Sequence, residues 1–261
     1  MTEVSLAGRL REHHVPPATA AALVADGAVA SAIGVVLYGS YGRGDQVPSS
    51  DVDLLLVARR PRGSRQLGIA NVATYTPTQL ASARGSLFGM HLSRDGRVLH
   101  DTGNVVTALL SSMGEPDPAV LFGRIRHLAG VLDGNPSDHL GGRIRVARYL
   151  LRTAVYVAAL AAGEPCFSVR ELAERADEPR LVRILATDVE SAPAATSEVL
   201  EDLLTRLTDI VGPLDLDPHG GLRNLIVAEW FHDPARASLG VLVLAGDEAE
   251  LDYAALAKVI L

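Results

Sequence analysis

The sequence predicts an α/β (α+β) first domain followed by an all-α second domain. Three observations carry that prediction. Two short apolar runs of strand type, Val35 to Tyr38 and Leu54 to Val57, lie near the N-terminus, joined by a glycine-bearing polar connection. A third run, Leu67 to Thr76, follows. From about residue 104 onward, alternation of period two gives way to helical periodicity broken by glycine and proline. A length of 261 residues suits one large domain or two small ones. The boundary is expected between residues 103 and 104, giving domains 1–103 and 104–261.

In chain order, Leu6 and Leu10 sit at i, i+4 among charges and predict a short amphipathic helix, which Pro16 and Pro17 end. A second helix is expected over 18–25, and Asp26-Gly27 leads into the first strand. The second strand is followed by Ala58 to Gln66, ARRPRGSRQ, expected as a charged connecting loop. Its four arginines read as a solvated loop or as a contact for a polyanion. Pro77 opens a helix with Thr76 as N-cap, weakened by Gly85 and Gly89 and ended at Asp95-Gly96. Residues 97–100 are expected as a short edge strand.

The informative stretch is Val35 to Val57, VVLYGSYGRGDQVPSSDVDLLLV. Glycines 39, 42 and 44 let the backbone approach a bulky ligand and adopt positive φ. Asp51 and Asp53 then open an apolar run. Residues i and i+2 of a strand share a face, roughly 6 to 7 Å apart. Two carboxylates on one face of a buried strand are costly unless a cation accompanies them. A hard divalent ion carrying phosphates, Mg²⁺ (or Mn²⁺), satisfies both requirements.

This pattern resembles the nucleotidyltransferase superfamily related to DNA polymerase β, whose signature is Gly-Ser, about ten residues, then acidic-apolar-acidic. Here Gly39-Ser40 precede Tyr41 to Ser50 and then Asp51-Val52-Asp53. The local form is most similar to the kanamycin-type and minimal nucleotidyltransferases. The resemblance implies a small mixed sheet flanked by helices, with an NTP substrate, ATP among the candidates. It implies Asp51 and Asp53 as catalytic, metal-holding carboxylates, and a Gly39-Ser40 turn that binds the β- and γ-phosphates. Arg43 is assigned either to phosphate or to capping the turn.

The family usually carries a third carboxylate on its next strand. Here the inward candidates are Asn71 and Ala73, and neither is acidic. Asp95, Asp101 and Glu115 are the possible substitutes. The departure leaves two functional expectations. One is transfer of a nucleoside monophosphate from an NTP to an acceptor hydroxyl with loss of pyrophosphate. The other is a non-catalytic relative that binds nucleotide as a regulatory scaffold. The acceptor, whether small molecule, protein or RNA, is not legible.

Composition narrows the setting. The net charge of −7 disfavours a broad nucleic-acid surface, and no DNA partner is expected. A single cysteine, Cys166, cannot form an intramolecular disulfide and fits a cytoplasmic setting. The N-terminus lacks the apolar core of a signal peptide, and no membrane partner is expected.

In the second half, helices are expected at 104–113, 117–132, 139–162, 168–177, 179–189, 195–211, 221–231, 234–245 and 248–260. The segment Leu239 to Leu244 also reads as a possible strand. Arg145, Arg148 and Arg152 share one face of the long helix, as a solvated face or a grip on phosphate. Ser168 and Glu171 form a capping box at the start of a helix-turn-helix-like pair. His91 and His100 are expected as ordinary surface or satisfied histidines.

Overall fold

Val35, Val36, Leu37 and Tyr38 are all buried, so their strand has no solvent face, and it lies inside a sheet. In the computed structural model, which describes residues 3–60, 62–135, 137–185, 193–215 and 219–246, the chain divides into two compact units. One runs to Pro116 and the other begins at Asp117.

The first unit starts with three helices, α1 (Glu3–Glu12), α2 (Pro17–Ala25) and α3 (Gly27–Ala30). Strand β1 (Gly34–Tyr38), the short helix α4 (Gly39–Arg43) and strands β2 (Val52–Val57), β3 (Arg62–Leu67) and β4 (Ala70–Tyr75) follow. Helices α5 (Pro77–Ala81) and α6 (Leu87–Asp95), strand β5 (Arg97–Asp101) and helix α7 (Val105–Ser111) complete it. The five strands form one mixed sheet in the order β3-β4-β2-β1-β5. β1 is antiparallel to β2 and β5, β2 is parallel to β4, and β3 is antiparallel to β4.

Alternate residues of the central strands feed two cores. Val35, Leu37, Leu54, Leu56 and Val72 pack under Leu6, Leu10, Leu23 and Val29 from the N-terminal helices. On the other face Val36, Tyr38, Leu55 and Val57 pack under Leu80, Leu92, Val106 and Leu110. Because β2 serves both cores, Leu54 to Val57 is a continuous apolar run rather than an alternating one.

Three expectations are corrected here. Much of the expected loop at 58–66 is strand β3, which turns at Gly68 (φ 62°) into β4. It pairs only with β4, and an edge strand accommodates the charge of Arg62 and Arg65 that a central strand would exclude. The single helix expected from Pro77 is two, parted where Gly85 takes φ 69° and Ser86 caps α6. The boundary expected at residue 103 falls later, because α7 belongs to the sheet. A Cβ on Gly34 would lie 2.0 Å from Val106 Cγ2, so helix and strand are in direct contact. Asp101 holds the start of α7 by accepting from the Val106 and Thr107 backbone N–H groups.

The second unit is helical throughout its described residues: α8 (Pro118–Ala129), a 3-10 turn, α9 (Leu140–Ala161), α10 (Val169–Arg175), α11 (Arg180–Ile184), α12 (Ser197–Val211), α13 (Leu222–Glu229) and α14 (Pro234–Ala245). α9 is the central element and packs against α8, α12 and α14. Gly142 makes the α14 crossing possible, since a Cβ there would lie 2.1 Å from the Val243 carbonyl oxygen. α12 presents Leu200, Leu203, Leu207 and Val211 from one face. The segment 239–244 is helical, within α14. The helix expected at 248–260 lies outside the described residues. Among the described residues, no helix is long and apolar enough to cross a membrane.

Candidate functional site

The end of β1 builds the turn. Tyr38 is still extended, and Gly39 reverses the chain at φ 67° to start α4. No side chain caps this helix, so its first-turn N–H groups are left without intrahelical acceptors. Gly44, at φ 85°, ends it.

β2 lies beside β1 with Asp53 directly across from Tyr38. A Cβ on Gly39 would sit 2.6 Å from Asp53 Oδ2. Glycine is therefore required there twice over, by the backbone angle and by the carboxylate that occupies the space. Asp51 was expected within the strand, but β2 begins at Val52, and Asp51 is exposed at its entrance. Only Asp53 carries the cost of partial burial.

The neighbouring strand supplies the third position. In the parallel β2–β4 register Asn71 stands across from Asp53, and its Nδ2 lies 3.5 Å from Asp51 Oδ2. Ala73 stands across from Leu55 instead, in the buried part of the sheet. Gln66 on β3 is across from Asn71. One row of the sheet thus reads Tyr38, Asp53, Asn71, Gln66.

The Tyr38 ring is buried edge-on to Phe88, at 6.1 Å between centroids, and to His91, at 5.9 Å. Burial, and then the charge of Asp53, push its phenol well above the ordinary value.

The substitute carboxylates do not join the pair. Asp101 caps α7, and Glu115 lines a groove of about 570 Å³ between α6, β5 and α7. Asp95 is buried against Arg43 and His91, with Arg43 Nη1 and His91 Nε2 each 3.5 Å from its Oδ2. Among the described residues no three His, Cys, Asp or Glu side chains gather as a metal cluster. Arg43 also reaches Asp45, at 3.3 Å. Its guanidinium is engaged beneath α4. The i, i+4 spacing of His91 and Asp95 on a helix was the signal available in the sequence, but the Arg43 partner came from another element.

Residues 28–83 match the family model of the nucleotidyltransferase domain. That stretch is similar to a nucleotidyltransferase domain. It spans the turn, both carboxylates and Asn71, and covers well under half of the chain. None of the curated proteins matches the sequence. Among solved structures, the chain is similar to a nucleotidyltransferase-like protein from Exiguobacterium sibiricum 255-15. The identity is 14%, with 80% of this chain and 74% of that chain covered, at a TM-score of 0.29.

In the second unit, two of the three α9 arginines that the sequence places on one face, Arg148 and Arg152, donate to backbone carbonyls. Arg148 donates to the Pro193 carbonyl at 3.1 Å, and Arg152 donates to the Leu185 carbonyl. Tyr156, half-buried, packs edge-on to the buried Phe167, at 5.5 Å between centroids. Ser168 caps α10 through the Glu171 N–H.

Proposed function

We propose that this protein transfers a nucleoside monophosphate from an NTP to an acceptor hydroxyl, with a divalent cation held by Asp51 and Asp53. The observation that carries the reading is the contact between Gly39 and Asp53 inside the stretch similar to a nucleotidyltransferase domain. It places a glycine turn and a carboxylate side by side, with no room for another side chain.

The donor set suits a hard cation. Mg²⁺ takes one or two carboxylates and completes its shell with water and phosphate oxygens. The uncapped N–H groups at Gly39 and Ser40, with the Ser40 hydroxyl, would receive the β- and γ-phosphates. A bound cation would supply charge neutralisation for the triphosphate, and the chain's own residues would hold the α-phosphorus in line with the acceptor oxygen. That hydroxyl oxygen would form the new bond and give its proton to water, and pyrophosphate would leave with the electron pair of the broken bond.

The test is thermal stabilisation by each of the four NTPs, with and without Mg²⁺. It is run on the wild type and on Asp51→Ala/Asp53→Ala. A nucleotide at 100 times its Kd adds about 2.7 kcal/mol. One NTP should stabilise only the wild type and only with Mg²⁺. No shift with any of them would sink the proposal.

Asn71, standing where an acid would complete the set, supports a second reading: a nucleotide-binding regulator without transfer chemistry. The two part on whether an α-labelled NTP releases pyrophosphate in the presence of candidate acceptors.

A further inference from the structure

We infer that this is a one-cation site, in which Asn71 positions Asp51 rather than supplying the ligand for a second ion. The inference rests on the nucleotidyltransferase reading above.

The row across the sheet carries it. Asp53 has two lateral neighbours, Tyr38 on β1 and Asn71 on β4, and both are neutral. Gln66, next beyond Asn71, is neutral as well. The row therefore holds a single negative charge, and Asp51 at the strand entrance adds the second. Two carboxylates balance one divalent ion. The triphosphate brings anionic oxygens of its own, so a second ion held by the protein would need one more protein carboxylate, and the strand position where it would stand carries a carboxamide.

The orientation of that carboxamide matters. Asn71 turns its Nδ2, a donor, toward Asp51 Oδ2 at 3.5 Å. An ionised carboxylate only accepts, so this is the favoured arrangement, and it occupies one lone pair of Asp51. Asp51 is exposed and precedes the strand, so the sheet does not fix its side chain. Asn71, rooted in a buried central strand, does. Of the other acids that the sequence offered, Asp95 is committed to Arg43 and Asp101 to the start of α7, and Glu115 lines the groove between α6, β5 and α7.

The experiment counts ions. Mn²⁺ is titrated by electron paramagnetic resonance and calorimetry into the full chain. Each of the four α,β-methylene NTP analogues is present in turn, with nucleotide-only controls. Wild type should hold one ion per chain. Asn71→Asp should hold two. Asn71→Ala should still hold one, with affinity lowered about tenfold, the loss typical of removing a group that orients a ligand. Far-ultraviolet circular dichroism confirms that each variant is folded. If Asn71→Asp does not fold, the wild-type count and the Asn71→Ala affinity decide the matter.

Two ions in the wild type would overturn the one-cation site and leave the nucleotidyltransferase reading standing. One ion in folded Asn71→Asp would overturn the role of Asn71. No ion in the wild type with any nucleotide would overturn the reading itself, and the inference with it.

Discussion

Arg43 is bound to Asp95 beneath the glycine turn: its Nη1 lies 3.5 Å from Oδ2 of a carboxylate buried at the end of α6. The pair ties α4 to α6, and Gly42 lets them meet, since a Cβ there would lie 2.8 Å from the Asp95 carbonyl oxygen. Arg43, which the sequence offers either to phosphate or to the turn, joins α4 to α6 through this pair.

Burial pushes the Asp95 carboxyl up, against the opposing charges of Arg43, Arg94 and Arg97. The folded protein keeps a proton on Asp95 that the unfolded chain releases. The stability this adds is complete below the ordinary carboxylate value of 3.8 and is lost as pH rises through the higher folded value. Asp95→Asn should flatten the fall in stability between about pH 4 and pH 7. Arg43→Ala should cost about 1–3 kcal/mol, more at neutral pH than in acid, because an ionised Asp95 then lacks its cation. Urea denaturation across that range measures both, and pH profiles parallel to wild type would refute the assignment.

Gly39→Ala should be more damaging than its size suggests. At φ 67° an alanine costs about 1–2 kcal/mol in backbone strain, and its Cβ would collide with Asp53 Oδ2. Melting temperature should fall, and nucleotide-dependent stabilisation should vanish. Gly44→Ala, at φ 85° but in open space, should show the strain alone and keep nucleotide binding. Equal loss of binding in both would separate the turn from the site.

Gly34→Ala tests whether α7 is part of the sheet. Its backbone angle is ordinary, so the penalty is the 2.0 Å overlap with Val106 Cγ2. Overpacking of this kind costs about 1–3 kcal/mol. Val106→Ala removes the overlapping methyl, so the double variant should lose less stability than the two single variants summed. A double-mutant cycle that sums without coupling would place α7 away from β1.

Asp233 is the fixed point of the second unit. Hydrogen bonds from Arg124 hold its carboxyl well below the usual carboxylate range. Burial opposes this, and the Arg236 N–H and the His127 ring assist it. It also caps α14. The stability it contributes is present above pH 3.8 and is lost as pH falls toward the lowered folded value. Asp233→Ala should cost about 2–4 kcal/mol at neutral pH through the lost cap and ion pair. The difference from wild type should shrink in strong acid. A constant difference at every pH would mean that only the neutral cap matters.

Most of the site was legible in 15 residues, Gly39 to Asp53, because a turn, a spacing and an alternation are local properties. Gly39 and Asp53 lie side by side across β1 and β2, while Asp51 precedes the strand that was expected to carry it. Asn71 was visible as one of two inward positions on the next strand. Which of the two faces Asp53 depends on the β2–β4 register, and a shift by one residue turns every side chain to the other face.

What the sequence determined by itself was what near neighbours impose: three strands of the sheet's interior, the helix caps at Thr76 and Ser168, and the glycine that admits Asp53. The tertiary structure alone decided the rest. It made a strand of Arg62 to Leu67, because pairing with β4 outweighs a charged, glycine-containing composition at an edge. It drew α7 into the first unit through Gly34 and Val106. It paired Arg43 with Asp95, more than fifty residues away in the chain. Each of these is a long-range contact, and no local pattern encodes which distant group will be there to complete it.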